Sequence, residues 1–397
     1  WVETYNIDGF RFDYTKGFVN NGNNYSMERI NLLKRMADEI WTYKPNAFVI
    51  LEHWCDNAEE EQLADHGMML WGNVTYGYQQ ALMGFTNSSN ISSGIHSNRG
   101  WSVPHLISYA ESHDEERTMY EALTYGNNTN ANHNARNLYT ALGRAQGIAV
   151  ILLTQPGPKM LWQFQELGYD ISIDNPCRVC NKPILWNYYT QARRRQLYDV
   201  YTATLDLRND YETFRSLNFQ YSLTSATKRV NMSHSTMNGV SMANFAVTTQ
   251  SVIPAFQHAG WWYEYFTGDS INVTNALAPI SLTAGEYRIY TDVKLAQPEI
   301  TEAPASIEEL LNSSFDLKVY PNPAAQLTTL RFASQSIEPY TVLLINEAGK
   351  VVMERKGTSA SGNNEIPLNV TELPAGSYHF LVKVGTAMAN EGFVKVD

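Results

Sequence analysis

Three carboxylates stand at related places along the chain. Asp13 closes the run "DGFRFD" (8 to 13), Glu52 lies near the end of "AFVILEHW" (47 to 54), and Asp114 closes "HLISYAESHD" (105 to 114). Each follows a short apolar stretch of strand character. Read with period two, Phe10 and Phe12 face one side of the first run while Arg11 and Asp13 face the other. A charged face on a buried strand is tolerated where it looks into a polar cavity, because an unpaired buried carboxylate is costly. The alternative for any one of the three is a helix cap, with Asp13 capping the helix that follows. Three placed alike point to chemistry instead. Retaining cleavage of a glycosidic bond needs such a set: an ionised carboxylate nucleophile, a protonated carboxyl group about 5 Å away, and polar groups that hold the sugar as charge develops at the anomeric carbon.

The neighbours sort the roles. Arg11 shares a strand face with Asp13, and its positive charge would lower the carboxylate's pKa, which makes Asp13 the nucleophile candidate. Glu52 follows Phe48, Val49, Ile50 and Leu51 and precedes His53 and Trp54. Desolvation there would raise its pKa and keep a proton for a leaving oxygen, which makes it the general acid/base candidate. His113 and Asp114 would offer a donor and an acceptor to vicinal hydroxyls, so Asp114 is the stabiliser candidate. His53, next to Glu52, either orients it or is a satisfied wall histidine.

The elements that must position these groups are strands alternating with helices from residue 1 to about 212. Helical spacing runs through 26 to 44, 134 to 154 and 192 to 211, and further strands are read at 67 to 73 and 158 to 164. Alternation of this kind implies a parallel sheet with helical crossovers, and polar residues at strand ends are the habit of a (β/α)₈ TIM barrel. About five strands are present where closure needs eight. The fold class expected is therefore α/β: an incomplete barrel, its second half, over 1–212, followed by an all-β domain over 213–295. Residues 296–315, rich in Pro, Glu, Ala and Ser, read as a linker. A second all-β unit, a β-sandwich module, fills 316–397, with "NEAGK" as a hairpin turn.

Composition narrows the partners. A net charge of −11 argues against an electrostatic grip on nucleic acid or anionic lipid and leaves neutral, polyhydroxylated partners unaffected. Twenty-four Tyr, 9 Trp and 15 Phe supply flat rings suited to sugar faces, though such residues more often pack in cores. Trp71, Trp101 and Trp162 are read mainly as packing or rim-lining residues, and "ARRR" (192 to 195) as a solvated or carboxylate-paired helix face. No apolar run is long enough to span a membrane. Three cysteines, an odd number, exclude a disulfide framework. Cys177 and Cys180 form a lone C-x-x-C whose readings are half a zinc site, a redox pair, a local loop staple or two plain thiols; a loop pair or plain thiols are favoured.

"DGFRFDYTKG", "VILEHW" and "ESHDEER" resemble, in order and spacing, the second, third and fourth signature regions of the alpha-amylase family, glycoside hydrolase family 13. "WQFQELGYD" and "GMMLWGN" look like stretches of bacterial alpha-amylases from the Bacteroidetes group. The resemblance implies retaining attack on α-1,4-glucosidic bonds of starch, glycogen or maltooligosaccharides, with Asp13 as nucleophile, Glu52 as acid/base and Asp114 as stabiliser. Arg11, Lys16, His53 and His113 would support them on the substrate side. Where many members have Lys-His this chain has Lys16-Gly17, and the Gly17 carbonyl is a calcium-ligand candidate. Most other calcium ligands would precede residue 1; no organic cofactor is implied. Three further βα units would also precede Trp1, so the chain reads as the C-terminal portion of a longer enzyme, inactive alone. A transglycosidase or isomerase of the family would use the same carboxylates; a non-catalytic glucan-binding surface protein is the alternative from another class. The tail, through "VYPNP", "INEAGKVV" and "LPAGSYHFLVKV", resembles the type IX secretion sorting domain. That implies contact with the type IX machinery and a secreted or cell-surface protein.

Overall fold

The computed structural model describes residues 1–302, 317–334, 337–346, 350–385 and 387–397. The chain divides into two compact units, Trp1–Ala303 and Pro304–Asp397.

The first unit opens with α1 (Val2–Tyr5), then alternates: β1 (Gly9–Phe12), α2 (Met27–Tyr43), β2 (Phe48–Leu51), α3 (Asn57–Asp65), β3 (Met69–Asn73), α4 (Thr75–Met83), β4 (Leu106–Tyr109), α5 (Thr118–Tyr125), α6 (Leu138–Thr154), β5 (Lys159–Met160) and α7 (Ala192–Asp210). The five strands form one parallel sheet in sequential order. Helix α2 starts where the Ser26 side chain accepts the Arg29 N–H, and it buries Ile30, Leu33 and Ala37 along one face. That face meets Val49, Leu51, Leu63 and Leu70, with Phe12 packed alongside. The opposite face of the sheet carries Trp71, Ile107 and Tyr109, with Ile50, Met69 and Met160 beside them. Arg11 is in register with Ile50, so it lies on this second face, away from Phe12.

The strands are shorter than the sequence pattern predicts. Asp13 and Glu52 are each the first residue beyond their strand, but β4 stops at Tyr109 and leaves Asp114 well out on a loop. The reason lies in Glu111, which is buried and accepts from the Thr118 N–H and hydroxyl; that turn ends the strand and starts α5.

Beyond α7, the strands are antiparallel. A six-stranded sheet has the order β11-β10-β13-β8-β7-β6, built from β6 (Phe219–Ser222), β7 (Thr227–Ser233), β8 (Asn238–Asn244), β10 (Gly260–Glu264), β11 (Ser270–Val273) and β13 (Tyr287–Thr291). A two-stranded sheet pairs β9 (Gln250–Val252) with β12 (Ile280–Leu282). The two regions share one apolar core: Ile148, Ile151 and Leu152 of α6 pack with Val230, Phe245 and Ile289. The expected linker begins later than its composition implies. Leu295 and Ile300 pack on this core, and the Thr301 N–H donates to Asp199 at 2.9 Å. One apolar side chain in the polar stretch, Ile300, with the neighbouring Thr301 bond, docks its start. Residues 303–315 of that expected linker lie outside the described residues.

The second unit has a three-stranded antiparallel sheet, β14 (Leu317–Tyr320), β15 (Leu327–Ser334) and β18 (Gly362–Asn369), and a four-stranded one, β17-β16-β19-β20. The latter comprises β16 (Pro339–Asn346), β17 (Val351–Thr358), β19 (Gly376–Val384) and β20 (Ala387–Lys395). Leu330, Phe332, Val342, Leu344, Phe380 and Phe393 form its core. The middle of the expected "NEAGK" turn, 347 to 349, lies outside the described residues, while Asn346 N–H donates to Lys350 carbonyl at 3.0 Å and β16 pairs with β17.

Gly9 fixes how closely β1 approaches β2. A Cβ there would sit 2.1 Å from the Phe48 carbonyl oxygen and 2.6 Å from its nitrogen, both backbone atoms. Gly9→Ala is expected to destabilise the first unit by about 1 to 3 kcal/mol through overpacking, read by urea denaturation. A midpoint equal to wild type would show that β1 is free to shift.

Candidate active site

Arg11 organises the site. Its Nη1 donates to Asp13 Oδ1 at 2.5 Å and its Nη2 donates to Glu52 Oε2. Its guanidinium lies over the Trp71 ring, 4.2 Å from the centroid. Glu52 Oε2 also accepts the Tyr14 N–H at 3.1 Å. One planar cation therefore joins both carboxyl groups on the sheet face opposite the helices.

The two carboxyl groups occupy different surroundings. The Asp13 side chain is 76% exposed and that of Glu52 only 6%. Hydrogen bonds with Glu52 and then Arg11 hold Asp13 below the usual carboxylate range. Burial, and next the hydrogen bond with Asp13, push Glu52 above it. Divergence of this kind sets the two members of a carboxyl pair apart as acid and base.

His113 and Asp114 join from the loop after β4. His113 Nε2 lies 3.3 Å from Asp114 Oδ2, and the imidazole sits between Trp71 and Trp162, with centroids 6.1 and 5.9 Å away. Arg11 and His113 both lie against the Trp71 ring, 4.2 and 6.1 Å from its centroid, which places His113 beside the carboxylate pair. Tyr109, whose buried hydroxyl has no hydrogen-bond partner among the described residues, feels Glu115, Glu52, Asp114 and Arg11 together. Glu115 is the residue the sequence reading missed: Asn73 Nδ2 and Ser112 Oγ both donate to it. Its position one residue beyond Asp114 carried no signal, because a loop has no periodicity to reveal which side chains turn inward. Lys16 lies at the edge, its Nζ 5.1 Å from the Tyr14 ring centroid.

His53 is placed elsewhere. It is fully buried, with Nδ1 2.8 Å from Thr15 Oγ1 and Nε2 2.9 Å from Glu59 Oε1. Both nitrogens are engaged, so the substrate-side assignment gives way to the wall reading. Its neighbours form a buried chain: Thr15 Oγ1 donates to the Glu52 carbonyl, and Glu59 takes Arg29 Nε at 2.6 Å and Nη2 at 2.9 Å. Arg29 also donates to the carbonyls of Lys16, Gly22 and Asn24. The oxygens gathered beside Gly17 thus hold a guanidinium, and Gly17 itself is exposed. Among the described residues no carboxylate cage forms around its carbonyl. The donor atoms of His53, Cys55 and Glu59 lie within 4.8 Å of one another, but Arg29 already supplies the positive charge there.

The remaining expectations are met by packing. Trp71 and Trp101 are buried; Trp162 lines the rim beside His113 and Arg117. Arg194 pairs with Asp170 and Arg195 with Asp199. Cys177 and Cys180 form a disulfide, the loop-staple reading.

Comparison with known proteins adds to this geometry. Residues 318–395 match the secretion system C-terminal sorting domain. The chain accordingly carries the signal for type IX secretion and is a secreted or cell-surface protein; among the described residues no helix is long and apolar enough to cross a membrane. No curated protein matches the chain. Among solved structures it is similar to the alpha-amylase from Geobacillus thermoleovorans complexed with acarbose, at 16% identity and TM-score 0.53, over 73% of this chain and 61% of that one. It is similar to AmyP in complex with maltotriose, at 12% identity and TM-score 0.55, over 77% and 66%. A third is the pullulanase from Bacillus acidopullulyticus, at 17% identity and TM-score 0.53, over 74% and 38%. At these identities the likeness concerns the fold, that of alpha-amylase-type glycoside hydrolases. The chain spans 61% of the length of the first of them.

The buried chain behind the site makes a stability prediction. Glu59→Ala leaves Arg29 buried without its carboxylate and should cost about 3 to 5 kcal/mol in urea unfolding, whereas an apolar double replacement of Arg29 and Glu59 should recover most of it. Burial works to raise the Glu59 pKa, but hydrogen bonds from Arg29, Ser26 and His53 leave it lowered on balance. Its contribution is therefore complete above the unfolded carboxyl pKa and is lost as pH falls through the folded one. Equal acid sensitivity in wild type and Glu59→Gln would count against this account.

Proposed function

We propose that these residues belong to a retaining glycoside hydrolase that cleaves α-1,4-glucosidic bonds in starch, glycogen or maltooligosaccharides. The observation that carries the reading is the Arg11-bridged pair, Asp13 pushed below the usual carboxylate range beside Glu52 pushed above it. Carboxyl groups close enough to share one guanidinium suit direct nucleophilic attack; inverting enzymes hold theirs farther apart to admit a water. The amylase-type fold supports the substrate class.

In this reading Asp13 attacks the anomeric carbon while Glu52 protonates the departing glycosidic oxygen. Glu52 Oε2 is occupied by Arg11 and the Tyr14 N–H, which leaves Oε1 to carry the proton. Ionised Glu52 then takes a proton from water, which attacks the glycosyl-Asp13 ester and restores both groups. Asp114 and His113 hold vicinal hydroxyls, and those bonds tighten as the ring flattens toward the oxocarbenium ion. Lys16 contributes a donor toward the acceptor side. Transfer to an acceptor sugar would use the same trio. The five parallel strands would be part of a closed barrel, and turnover belongs to that complete barrel. A calcium ion at the Gly17 carbonyl would need ligands beyond these residues, and no step passes through it.

Assayed in the full-length protein with a chromogenic maltooligosaccharide, Asp13→Asn and Glu52→Gln should each lower kcat by about 10² to 10⁴-fold or more. The pH profile should be bell-shaped. Activity rises as Asp13 ionises, at a pH below the usual carboxylate value, and falls as Glu52 loses its proton, above it. Glucan binding by the full-length protein without turnover would sink the proposal.

A further inference from the structure

The C-x-x-C pair takes no part in this chemistry, yet the structure sets its loop against the site. The Cys177–Cys180 disulfide closes a tight turn, within which Cys180 N–H donates to the Cys177 carbonyl at 3.1 Å. Lys182 Nζ folds back over the same segment and donates to the carbonyls of Ile173, Asn175 and Cys177, the last at 2.6 Å. Arg178, between the two cysteines, extends out of the turn and donates through Nη2 to the main-chain carbonyl of Asp114; its Nη1 lies 3.8 Å from Asp174. A second fastening lies close by. Glu116 accepts from Ser172 Oγ at 2.6 Å and from Ile173 N–H at 2.8 Å.

The segment held in this way lacks regular structure of its own. Between the end of β4 at Tyr109 and the start of α5 at Thr118 no residue is helical or in a strand. Within it, the Asp114 N–H donates to Ser112 Oγ at 3.1 Å, and the Asp114 side chain is half exposed. A loop carboxylate is placed accurately only when something rigid fixes its main chain. A turn closed covalently and braced by a lysine is such a support, and a guanidinium aimed from it restrains the carbonyl direction better than a single ammonium.

We propose that Arg178, presented by the disulfide-closed turn, is a positioning residue for Asp114. The kinetic part of the inference rests on the hydrolase reading above; the structural part does not. Arg178 neither attacks nor transfers a proton. It sets where the Asp114 carboxylate stands when hydroxyls must be gripped in the transition state.

The test uses the full-length protein and two readouts. Hydrogen exchange of amides 112 to 116 should quicken in Arg178→Ala and in Cys177→Ser/Cys180→Ser relative to wild type, while amides in β2 and β3 keep their protection. With a chromogenic maltooligosaccharide both variants should lose about 10 to 10²-fold in kcat with KM within about twofold, and Arg178→Lys, which keeps one donor, should recover part of the loss. Unchanged exchange in 112 to 116 overturns the inference, as does a kcat for Arg178→Ala within about twofold of wild type. Thermal unfolding screens the variants for misfolding, and the disulfide variant, which keeps Arg178 itself, gives an independent second reading. If wild type shows no turnover, the hydrolase reading fails and the exchange measurement alone decides whether the clamp exists.

Discussion

The site depends on one guanidinium. Arg11 reaches Asp13 and Glu52 with its two terminal nitrogens and rests its face on Trp71, so its position is set from three directions. A point charge could pull on either carboxylate, but only a flat, forked cation can hold both and stack at once. The consequence is an asymmetry. Hydrogen bonds with Glu52 and then with this cation lower the pKa of the exposed carboxylate, whereas at the buried one desolvation outweighs the cation and the pKa is raised.

Behind this pair stands a second arginine doing different work. Arg29 is fully buried, and Glu59, with the carbonyls of Lys16, Gly22 and Asn24, surrounds it. The chain Arg29, Glu59, His53, Thr15 ends on the Glu52 carbonyl, so the Glu52 backbone is held by buried groups. His53 links Glu59 and Thr15 through its two ring nitrogens, and burial pushes its pKa down. Each of these four groups has a partner within the chain, and linked buried polar groups hold one another in place.

The period-two pattern of "GFRF" showed which residues share a face, because a strand alternates whatever its tertiary setting, and the structure has Phe12 in the helix-side core with Arg11 opposite. Helices α2, α6 and α7 likewise followed from apolar spacing. Loops did not yield in the same way. Asp114 was read as a strand end because its run is apolar, but the Glu111 bond to Thr118 ended β4 earlier. His53 looked like a site residue by adjacency to Glu52, yet past the end of β2 its side chain is buried with both nitrogens against Thr15 and Glu59. Glu115, Arg178 and Arg29 were invisible for a shared reason: each makes contacts distant in sequence, and a single sequence carries no sign of such pairs.

The antiparallel strands that follow α7 are fastened to the helices by cations that donate to carbonyls rather than to carboxylates in these contacts. Arg144, on α6, is fully buried and donates to the carbonyls of Ala81 and Leu82 at the end of α4 and of Phe245 and Ala246 beyond β8. Lys228, on β7, donates to Ser89 and Ser225. Carbonyls left bare at helix and strand ends must be satisfied if they are to be buried, and a long cationic side chain can reach several at once. Leu82 stands at 0% exposure in the same core as Ile151 and Phe245, so opening that contact would expose both the carbonyls and the apolar surface together. The all-β region is therefore more than an appendage: it shares one apolar core with α4, α6 and α7, while the strands that present Arg11 and Glu52 pack in cores of their own.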